Sequence, residues 1–413
     1  MKNTSWLLFE QVFRMVLSLV VTSLTARYLG TEQFGMLQYS MAYILLFSTI
    51  GNLGIDSILV NEMMRQKDRI GQLLGTTIML RMIMAVLSFI GVLGLFMLTQ
   101  MEPLLYSLIS LQALSLVFIV FDSIEYWFQA KLQSKYVVLS KSIAFLFVSI
   151  WRLALIYWQL PLIYFAFATV IEAILMALLL VYFYRNFAGP RLHFSFETAK
   201  QLLQASKYFF VAGGVIMLYT QLDKIMLGYL KDTSEVGIYT AAMTISSMWM
   251  FIPLAFVESA RPLLVEAKAK DEKSYLKKTK QLFRLIIWLG IVASVFISLF
   301  SKPLIYVIYG ANYMEAVAVL IVLIWSRIFA MIGTIKALWL TLENLGKYQI
   351  YFVVIAAVLN IVFNVLLISP YGAVGAAIST LLAEMISAFF AVLFFSKTKS
   401  LFRIILDACL LKK

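Results

Sequence analysis

Eight ionisable side chains interrupt stretches of the sequence that are otherwise apolar. Five are basic, and a guanidinium or ammonium group can bind the oxygens of a phosphate. These residues are Arg14, Arg81, Arg152, Lys224 and Arg327. The other three, Glu172, Asp223 and Glu384, are acidic, and a carboxylate among apolar residues can carry a small cation or a proton. The residue types therefore predict a group of anion-binding cations and a set of carboxylates that take part in ion coupling.

The elements that position these side chains are predicted to lie in a membrane. The chain has 413 residues, 62% apolar and 13% charged, whereas a soluble domain has about 45–50% and about 25%. A soluble fold of this length could not bury so many apolar side chains, so the composition favours a membrane protein. One Cys and one His exclude a disulfide framework and argue against a metal site or histidine catalysis. The phosphate-binding motif GxxxxGK followed by Ser or Thr does not occur, so ATP is not expected as a direct energy source, nor is any other cofactor.

Twelve apolar stretches are long enough to cross a bilayer as α-helices. Their approximate bounds are 6–26, 36–60, 75–99, 103–128, 136–158, 162–184, 207–230, 236–257, 282–300, 316–339, 350–369 and 373–395. The polar segment 185–206 divides them into six and six. We therefore predict an all-α integral membrane protein with an N-terminal six-helix bundle (1–184), a cytoplasmic linker (185–206) and a C-terminal six-helix bundle with a cytoplasmic tail (207–413).

Lys and Arg residues are concentrated in alternate loops of this arrangement. If the N-terminus is inside, only Arg27, Lys231 and Lys302 fall in loops predicted to be outside. Because basic residues favour the cytoplasmic side of short loops, both chain ends and the long connections 185–206 and 258–281 are predicted to be cytoplasmic. The net charge of +13 and the basic cluster at 268–284 then fit contact with anionic lipid headgroups, and no nucleic acid is expected as a partner.

A short internal repeat supports the division into two halves. Segment 27–35 (RYLGTEQFG) joins helices 1 and 2, and segment 229–237 (YLKDTSEVG) joins helices 7 and 8. Both contain Tyr-Leu and end with an apolar residue and Gly. With six helices in each half, both halves start on the same side of the membrane and form parallel pseudo-repeats. Transporters built in this way bind their substrate between the repeats.

Polar residues also recur on single helix faces. Glu10, Arg14, Ser18, Thr22 and Thr25 form a stripe on helix 1, because residues three or four apart share a helix face. A charge at the bilayer centre costs at least about 2.5–3.5 kcal/mol, so such a face turns toward protein or a wet cavity. In the second half, polar faces are formed by Thr220 and Asp223, by Asn360 and Asn364, and by Thr380 and Glu384. Two interpretations stay open: a cavity between the bundles, or charges that pair within the protein, such as Glu10 with Arg14.

Several motifs resemble the polysaccharide-unit flippases, the Wzx-like family of the multidrug/oligosaccharidyl-lipid/polysaccharide exporter superfamily. They are NTSWLL at 3–8 with Glu10 and Arg14, ARYLG at 26–30 with FG at 34–35, GNLG at 51–54, DKIMLG at 223–228 before VGIY at 236–239, and LIY at 304–306 before YG at 309–310. The resemblance covers nearly the whole chain. It implies a MATE-like fold and a cation-lined cavity, for which Arg14 and Lys224 are the site residues that the motifs themselves identify.

The resemblance also implies a function. A member of this family would move a polyprenyl diphosphate-linked oligosaccharide repeat from the inner to the outer leaflet by alternating access, as an antiporter of H⁺ or Na⁺, for O-antigen or capsule synthesis. Its location would be the bacterial cytoplasmic (inner) membrane, and its partners membrane lipids, a polysaccharide polymerase and chain-length proteins. The alternatives are a cation-coupled multidrug exporter of the same superfamily and a membrane polysaccharide polymerase. An enzyme is not expected, because the loops predicted outside are short.

Overall fold

The computed structural model of the chain describes the backbone of residues 2–99 and 102–410 and the side chains of residues 14–94 and 102–410. Within these ranges, ten helical stretches are long and apolar enough to cross a membrane. Gly30 in the first stretch and Gly372 in the last have non-helical backbone, with φ of 73° and 55°. Each of these two stretches therefore contains two helices, so the ten stretches account for the twelve predicted helices and the all-α fold is confirmed.

The chain forms two compact units. The N-terminal unit contains Met36–Gln221 and the chain up to Leu29, and the C-terminal unit contains Gly30–Gly35 and the chain from Leu222 onward. The division between Gln221 and Leu222 falls inside a single helix, whereas the sequence places it in the linker 185–206. The difference arises because this helix begins before the predicted membrane segment, and its first part packs against the N-terminal unit.

Eight helices and the first part of a ninth build the N-terminal unit. They are α1 (Lys2–Asn52), α2 (Asp56–Arg65), α3 (Ile70–Thr99), α4 (Pro103–Ala113), α5 (Ser115–Ile119), α6 (Ser123–Ala130), α7 (Lys135–Tyr157), α8 (Leu162–Asn186) and α9 (Phe196–Leu230). Short 3₁₀ turns cover Lys67–Arg69 and Val120–Asp122. Leu59, Leu74, Trp127, Phe128 and Leu180 form a buried cluster where α2, α3, α6 and α8 meet, and this core fixes the helices that carry the polar residues described below.

The C-terminal unit contains the end of α9 and seven further helices. They are α10 (Thr233–Met248), α11 (Phe251–Lys270), α12 (Glu272–Leu299), α13 (Ser301–Tyr309), α14 (Ala316–Leu342), α15 (Lys347–Met385) and α16 (Lys399–Cys409). A π-helical turn, Ile386–Phe390, follows α15. The core of this unit is built around Phe283, Ile332, Phe352 and Leu401, which are buried between α12, α14, α15 and α16.

The two long connections between the predicted membrane segments are largely helical. The stretch 258–281 belongs to α11 and α12, which are separated by Asp271. The Asp271 carboxylate accepts hydrogen bonds from the backbone N–H groups of Lys273 and Ser274 and so caps α12. In the stretch 185–206, only the residues between Asn186 and Phe196 lie outside helices. These helices are not recognised from the sequence because they continue into charged residues beyond the apolar segments.

The two copies of the internal repeat contact each other within the C-terminal unit. A Cβ atom on Gly35 would lie 1.6 Å from the carbonyl oxygen of Thr233, and one on Gly237 would lie 2.2 Å from the carbonyl oxygen of Thr31. The contact is reciprocal, since each copy places its glycine against the backbone of the other. Glycine is needed at both positions because any side chain would collide with backbone atoms.

Candidate functional site

A polar cavity of about 470 Å³ lies within the N-terminal unit, surrounded by α1, α2, α3, α5, α6, α7 and α8. Three of the predicted site residues, Arg14, Arg81 and Glu172, line it together. The other ionisable side chains on its wall are Asp56, Asp122, Glu125, Tyr126 and Lys141, and its neutral polar residues are Ser48, Asn52, Ser115 and Thr169. The wall therefore carries both signs of charge, with four carboxylates beside three basic groups.

Arg81 is almost completely buried, with 2% of its surface exposed. Its terminal nitrogens donate to the side-chain oxygen of Asn52 and, at 2.8 Å, to the hydroxyl of Ser123. One of these nitrogens also lies 3.5 Å from a carboxylate oxygen of Asp56. These contacts hold the guanidinium in one orientation and join α1, α2, α3 and α6. Arg81 therefore has a structural role in addition to its place on the cavity wall.

Arg14 lies on α1 with its guanidinium carbon 5.3 Å from the centre of the Phe145 ring. This is the geometry of a cation–π contact, which stabilises the positive charge of the guanidinium. The predicted partner Glu10 lies outside the residues whose side chains are described. Arg14 lines the cavity within the N-terminal unit, whereas the sequence predicted a cavity between the two bundles.

The carboxylates at the cavity are mostly ones that the sequence analysis did not select. Asp122 and Glu125 lie three residues apart on one side of the chain, and Asp56 faces the same cavity from α2. Glu125 accepts a 2.7 Å hydrogen bond from the ammonium of Lys141. These carboxylates could have been predicted from the spacing of Asp122 and Glu125, because residues three apart lie on one helix face and both interrupt an apolar stretch.

Arg152 and Glu172 face each other across α7 and α8. Their charges interact, although Arg152 is not among the residues that line the cavity. The Nε atom of Arg152 is buried and makes no hydrogen bond to any described residue. Of the two, only Glu172 lines the cavity.

A second polar cluster lies in the C-terminal unit around Asp223, which is buried at 6% exposure. Its Oδ1 atom accepts hydrogen bonds from the side-chain amides of Asn360, at 3.0 Å, and Asn364, at 2.7 Å. Its Oδ2 atom accepts from the hydroxyls of Tyr239, at 2.6 Å, and Thr380, at 2.7 Å. The cluster brings together α9, α10 and both parts of the broken helix α15. We name these five residues the Asp223 cluster.

The remaining cations predicted in this half occupy different places. Lys224 follows Asp223 in α9, and the charges of the two neighbours interact. Arg327 in α14 is buried at 9% exposure and donates from Nε and Nη2 to the hydroxyl of Ser246, at 3.4 and 3.3 Å. Neither belongs to the set of hydrogen-bond donors around the Asp223 carboxylate.

Glu384 interacts with Lys336, a residue that the sequence analysis did not select. Lys336 is only 2% exposed, and its ammonium donates a 2.6 Å hydrogen bond to the carbonyl oxygen of Ser387. The same ammonium lies 4.2 Å from the centre of the Phe352 ring. Lys336 therefore satisfies a carbonyl of the π-helical turn. It could have been found from its position between apolar residues on both sides.

The predicted site residues thus fall into two sets, each within its own unit. Arg14, Arg81 and Glu172 share the N-terminal cavity, while Asp223 anchors a hydrogen-bonded cluster in the C-terminal unit. Across residues 14–94 and 102–410, no group of three His, Cys, Asp or Glu side chains has the arrangement of a metal site. The oxygen-rich Asp223 cluster has instead one carboxylate among amides and hydroxyls.

Two families match the chain. The family described as polysaccharide biosynthesis protein matches residues 1–268, and the family described as MatE matches residues 209–366. Two relatives from Haloferax volcanii are each 27% identical to the chain. The probable low-salt glycan biosynthesis flippase Agl15 matches over 46% of this chain and 40% of the relative, and the probable flippase AglR over 59% and 51%. The chain spans about half, or less, of the length of these curated relatives.

Solved structures share the fold. The lipid II flippase MurJ in an inward closed conformation has a TM-score of 0.77 at 17% identity, covering 97% of this chain and 90% of that one. An inward-facing multidrug resistance MATE transporter of the MOP superfamily has a TM-score of 0.75 at 14% identity, covering 95% and 96%. The MATE-like fold expected from the sequence is therefore confirmed.

Proposed function

The chain belongs to the polysaccharide biosynthesis protein family, within the MOP superfamily, and from this premise we propose that it is a flippase for a lipid-linked glycan. The proposed substrate is an oligosaccharide repeat unit on a polyprenyl diphosphate, which moves from the inner to the outer leaflet during synthesis of a surface polysaccharide such as O-antigen or capsule. Support comes from the two relatives named as flippases. Those names also agree with the expectation that the chain is not an enzyme.

One observation carries the choice of an anionic substrate: two guanidinium groups, Arg14 and Arg81, face the same cavity among apolar helices. A diphosphate carries about two negative charges, and a guanidinium can bind phosphate oxygens through two parallel hydrogen bonds. Arg81 is almost completely buried and donates to protein oxygens, whereas the side chain of Arg14 is partly exposed. We therefore assign the first contact with the diphosphate to Arg14 and a supporting electrostatic role to Arg81.

The test is translocation of a fluorescent polyprenyl diphosphate sugar across vesicles that contain the purified full chain. Arg14→Ala should abolish translocation, and Lys270→Ala, at an exposed position in α11, should leave it unchanged. Both variants remove one positive charge, so a loss confined to Arg14→Ala supports a local contact with substrate. Normal translocation by a well-folded Arg14→Ala protein would contradict the assignment.

A second candidate function is a cation-coupled multidrug exporter, which the four cavity carboxylates favour. Asp56, Asp122, Glu125 and Glu172 line the same wall as the arginines, and carboxylates attract cationic drugs. Ethidium efflux from cells that express the chain distinguishes the two functions. Efflux that is lost in Glu172→Gln and kept in Arg14→Ala would support the exporter and reject the glycan flippase.

We propose that transport is coupled to a monovalent cation or a proton at Asp223. The support is chemical: a buried carboxylate is surrounded by neutral amide and hydroxyl groups, and the oxygens of such groups are hard ligands. Glu172 and Glu384 are the competing candidates; each interacts with the charge of one cation, as Asp223 does with Lys224. The test compares Asp223→Asn, Glu172→Gln and Glu384→Gln for translocation driven by a Na⁺ or proton gradient. Loss of gradient dependence in Asp223→Asn alone supports this site, and unchanged dependence in that variant rejects it.

The chain is a multi-pass membrane protein, and we propose that both of its ends face the cytoplasm. The proposal rests on the distribution of Lys and Arg. Single cysteines introduced into a Cys409→Ala background report orientation directly. Cysteines at 190 and 270 should be protected from an impermeant maleimide in whole cells, and those at 232 and 312 should react; protection at 232 would overturn the orientation.

A further inference from the structure

A second polar cavity in the N-terminal unit shares no lining residue with the one at Arg14. It measures about 310 Å³, against the roughly 10–15 Å³ that one water molecule needs. It lies where the end of α2, the turn Lys67–Arg69 and the start of α9 meet. From the sequence, the basic residues there are explained by membrane topology alone.

The guanidinium of Arg69 is held on the wall of this cavity by neutral oxygens. Its Nε donates to Gln72 at 3.2 Å, its Nη1 to Gln66 at 3.3 Å and its Nη2 to the hydroxyl of Thr198 at 3.3 Å. Thr198 is 1% exposed and is held in turn by Gln72, at 2.9 Å. These contacts use three of the five N–H donors of the guanidinium and orient it without neutralising its charge.

The charge balance at this cavity is positive. The carboxylate of Glu62 lies 3.8 Å from Arg65 and accepts a 2.7 Å hydrogen bond from Gln66. Arg69 forms no ion pair with a carboxylate in the part of the chain that the structure describes. A fixed guanidinium with two further N–H groups beside an open cavity is the arrangement that binds a phosphate oxygen pair.

Apolar residues that lie close in sequence to the lining residues are exposed. Met64 precedes Arg65 on α2 and is 57% exposed, Phe196 begins α9 at 80%, and Leu203 follows Gln201 and Leu202 at 40%. In a membrane protein such side chains contact acyl chains at the level of the headgroups. Exposed apolar residues near a phosphate-binding group favour an anion that is attached to a lipid over a free one.

We propose that this cavity binds the phosphate group of a lipid, held by Arg69 with Thr198 and Gln201 around it. The site lies on the face that the distribution of basic residues predicts to be cytoplasmic, where anionic headgroups attract Lys and Arg. Two lipids present this chemistry, a phosphatidyl lipid of the membrane and a polyprenyl diphosphate. The proposal does not depend on transport, because binding is measured on the protein without translocation.

Calorimetry on the purified full chain in a nonionic detergent tests the site with three probes: dihexanoyl phosphatidic acid, geranyl diphosphate and inorganic phosphate. Arg69→Gln should weaken binding of the lipid phosphates by about tenfold or more, since a hydrogen bond to a charged group contributes about 1.5–3 kcal/mol. The matched control is Lys67→Gln, which removes the same charge from an exposed neighbour that does not line the cavity; its affinity should change by less than about twofold.

Equal weakening by Lys67→Gln and Arg69→Gln, or absence of saturable binding to the wild-type protein, would overturn the proposal. So would inorganic phosphate that binds as tightly as both lipids, because the proposed occupant is lipid-attached. Tighter binding of geranyl diphosphate supports a polyprenyl diphosphate as the occupant, and tighter binding of phosphatidic acid supports a membrane lipid. If Arg69→Gln lowers helicity, Arg69→Lys provides the second test: it keeps the charge, loses the planar fork and should retain only part of the affinity.

Discussion

Replacing Tyr239 by Phe removes one of four hydrogen bonds to the Asp223 carboxylate and leaves the ring in place. The bond is 2.6 Å long and charge-assisted, so its loss should lower the free energy of unfolding by about 1.5–3 kcal/mol. The other carboxylate contacts remain, including the 2.7 Å bond from Thr380 to the same oxygen. No carboxylate oxygen is therefore left without a donor, which keeps the expected loss within this range.

Asp223→Asn should cost more, because it affects all four bonds. Oδ1 can still accept from Asn360 and Asn364, and Tyr239 and Thr380 can rotate their hydroxyls to accept from the new amide. Each bond, however, loses its charge, and charge-assisted bonds are about twice as strong as neutral ones. We expect a loss of roughly 3 kcal/mol or more with the helices intact.

The decisive measurement is a double-mutant cycle from reversible unfolding in mixed micelles, followed by circular dichroism. In the Asp223→Asn background, Tyr239→Phe removes only a neutral hydrogen bond. The loss of unfolding free energy that it causes should therefore fall to about 0.5–1.5 kcal/mol. The two substitutions should therefore couple by about 1 kcal/mol. If Tyr239→Phe lowers the free energy of unfolding by the same amount in both backgrounds, the Tyr239 hydroxyl does not interact with a charged Asp223. That result would refute the reasoning for this cluster.

Three further substitutions test other parts of the structure. Arg14→Lys should keep part of the translocation that Arg14→Ala loses if charge is sufficient, and none if the planar fork is required; the vesicle assay described above measures both. Gly35→Ala should destabilise the protein by more than about 1–3 kcal/mol in a thermal unfolding assay, because its Cβ would overlap a backbone carbonyl of Thr233; wild-type stability would contradict that contact. Lys336→Met should lower the midpoint of the same transition by leaving the carbonyl of Ser387 without its 2.6 Å donor, and an unchanged midpoint would reject this role.

The fold was predictable because apolar length and basic residues carry the signal for membrane helices. The twelve helices follow from runs of apolar residues, and their breaks at Gly30 and near Pro370 are punctuated by Gly and Pro. The helical hairpin around Asp271 was missed because its charged residues resemble a loop. An apolar run identifies the part of a helix that lies in the membrane. It does not show where the helix ends, because the helix can continue into charged residues.

The candidate site was predictable in part. Arg14 follows from the polar stripe on its helix, and Asp223 follows from a carboxylate in an apolar run. Partners distant in sequence, such as Asp56 for Arg81 and Thr380 for Asp223, could not be assigned because they depend on tertiary packing. Asp122 lines the cavity, and its place there also depends on how the helices pack.

The division of the chain into two units predicts what happens when the backbone is broken between them in sequence. The segment Gly30–Gly35 comes from the first half of the sequence and completes the C-terminal unit, while α9 up to Gln221 comes from the second half and completes the N-terminal unit. A break in the non-helical stretch between Asn186 and Phe196 would therefore yield two fragments that each lack a piece of their own unit. Each fragment would carry the missing piece of the other. Two co-expressed fragments should recover function by exchanging these pieces, whereas either fragment alone should be degraded.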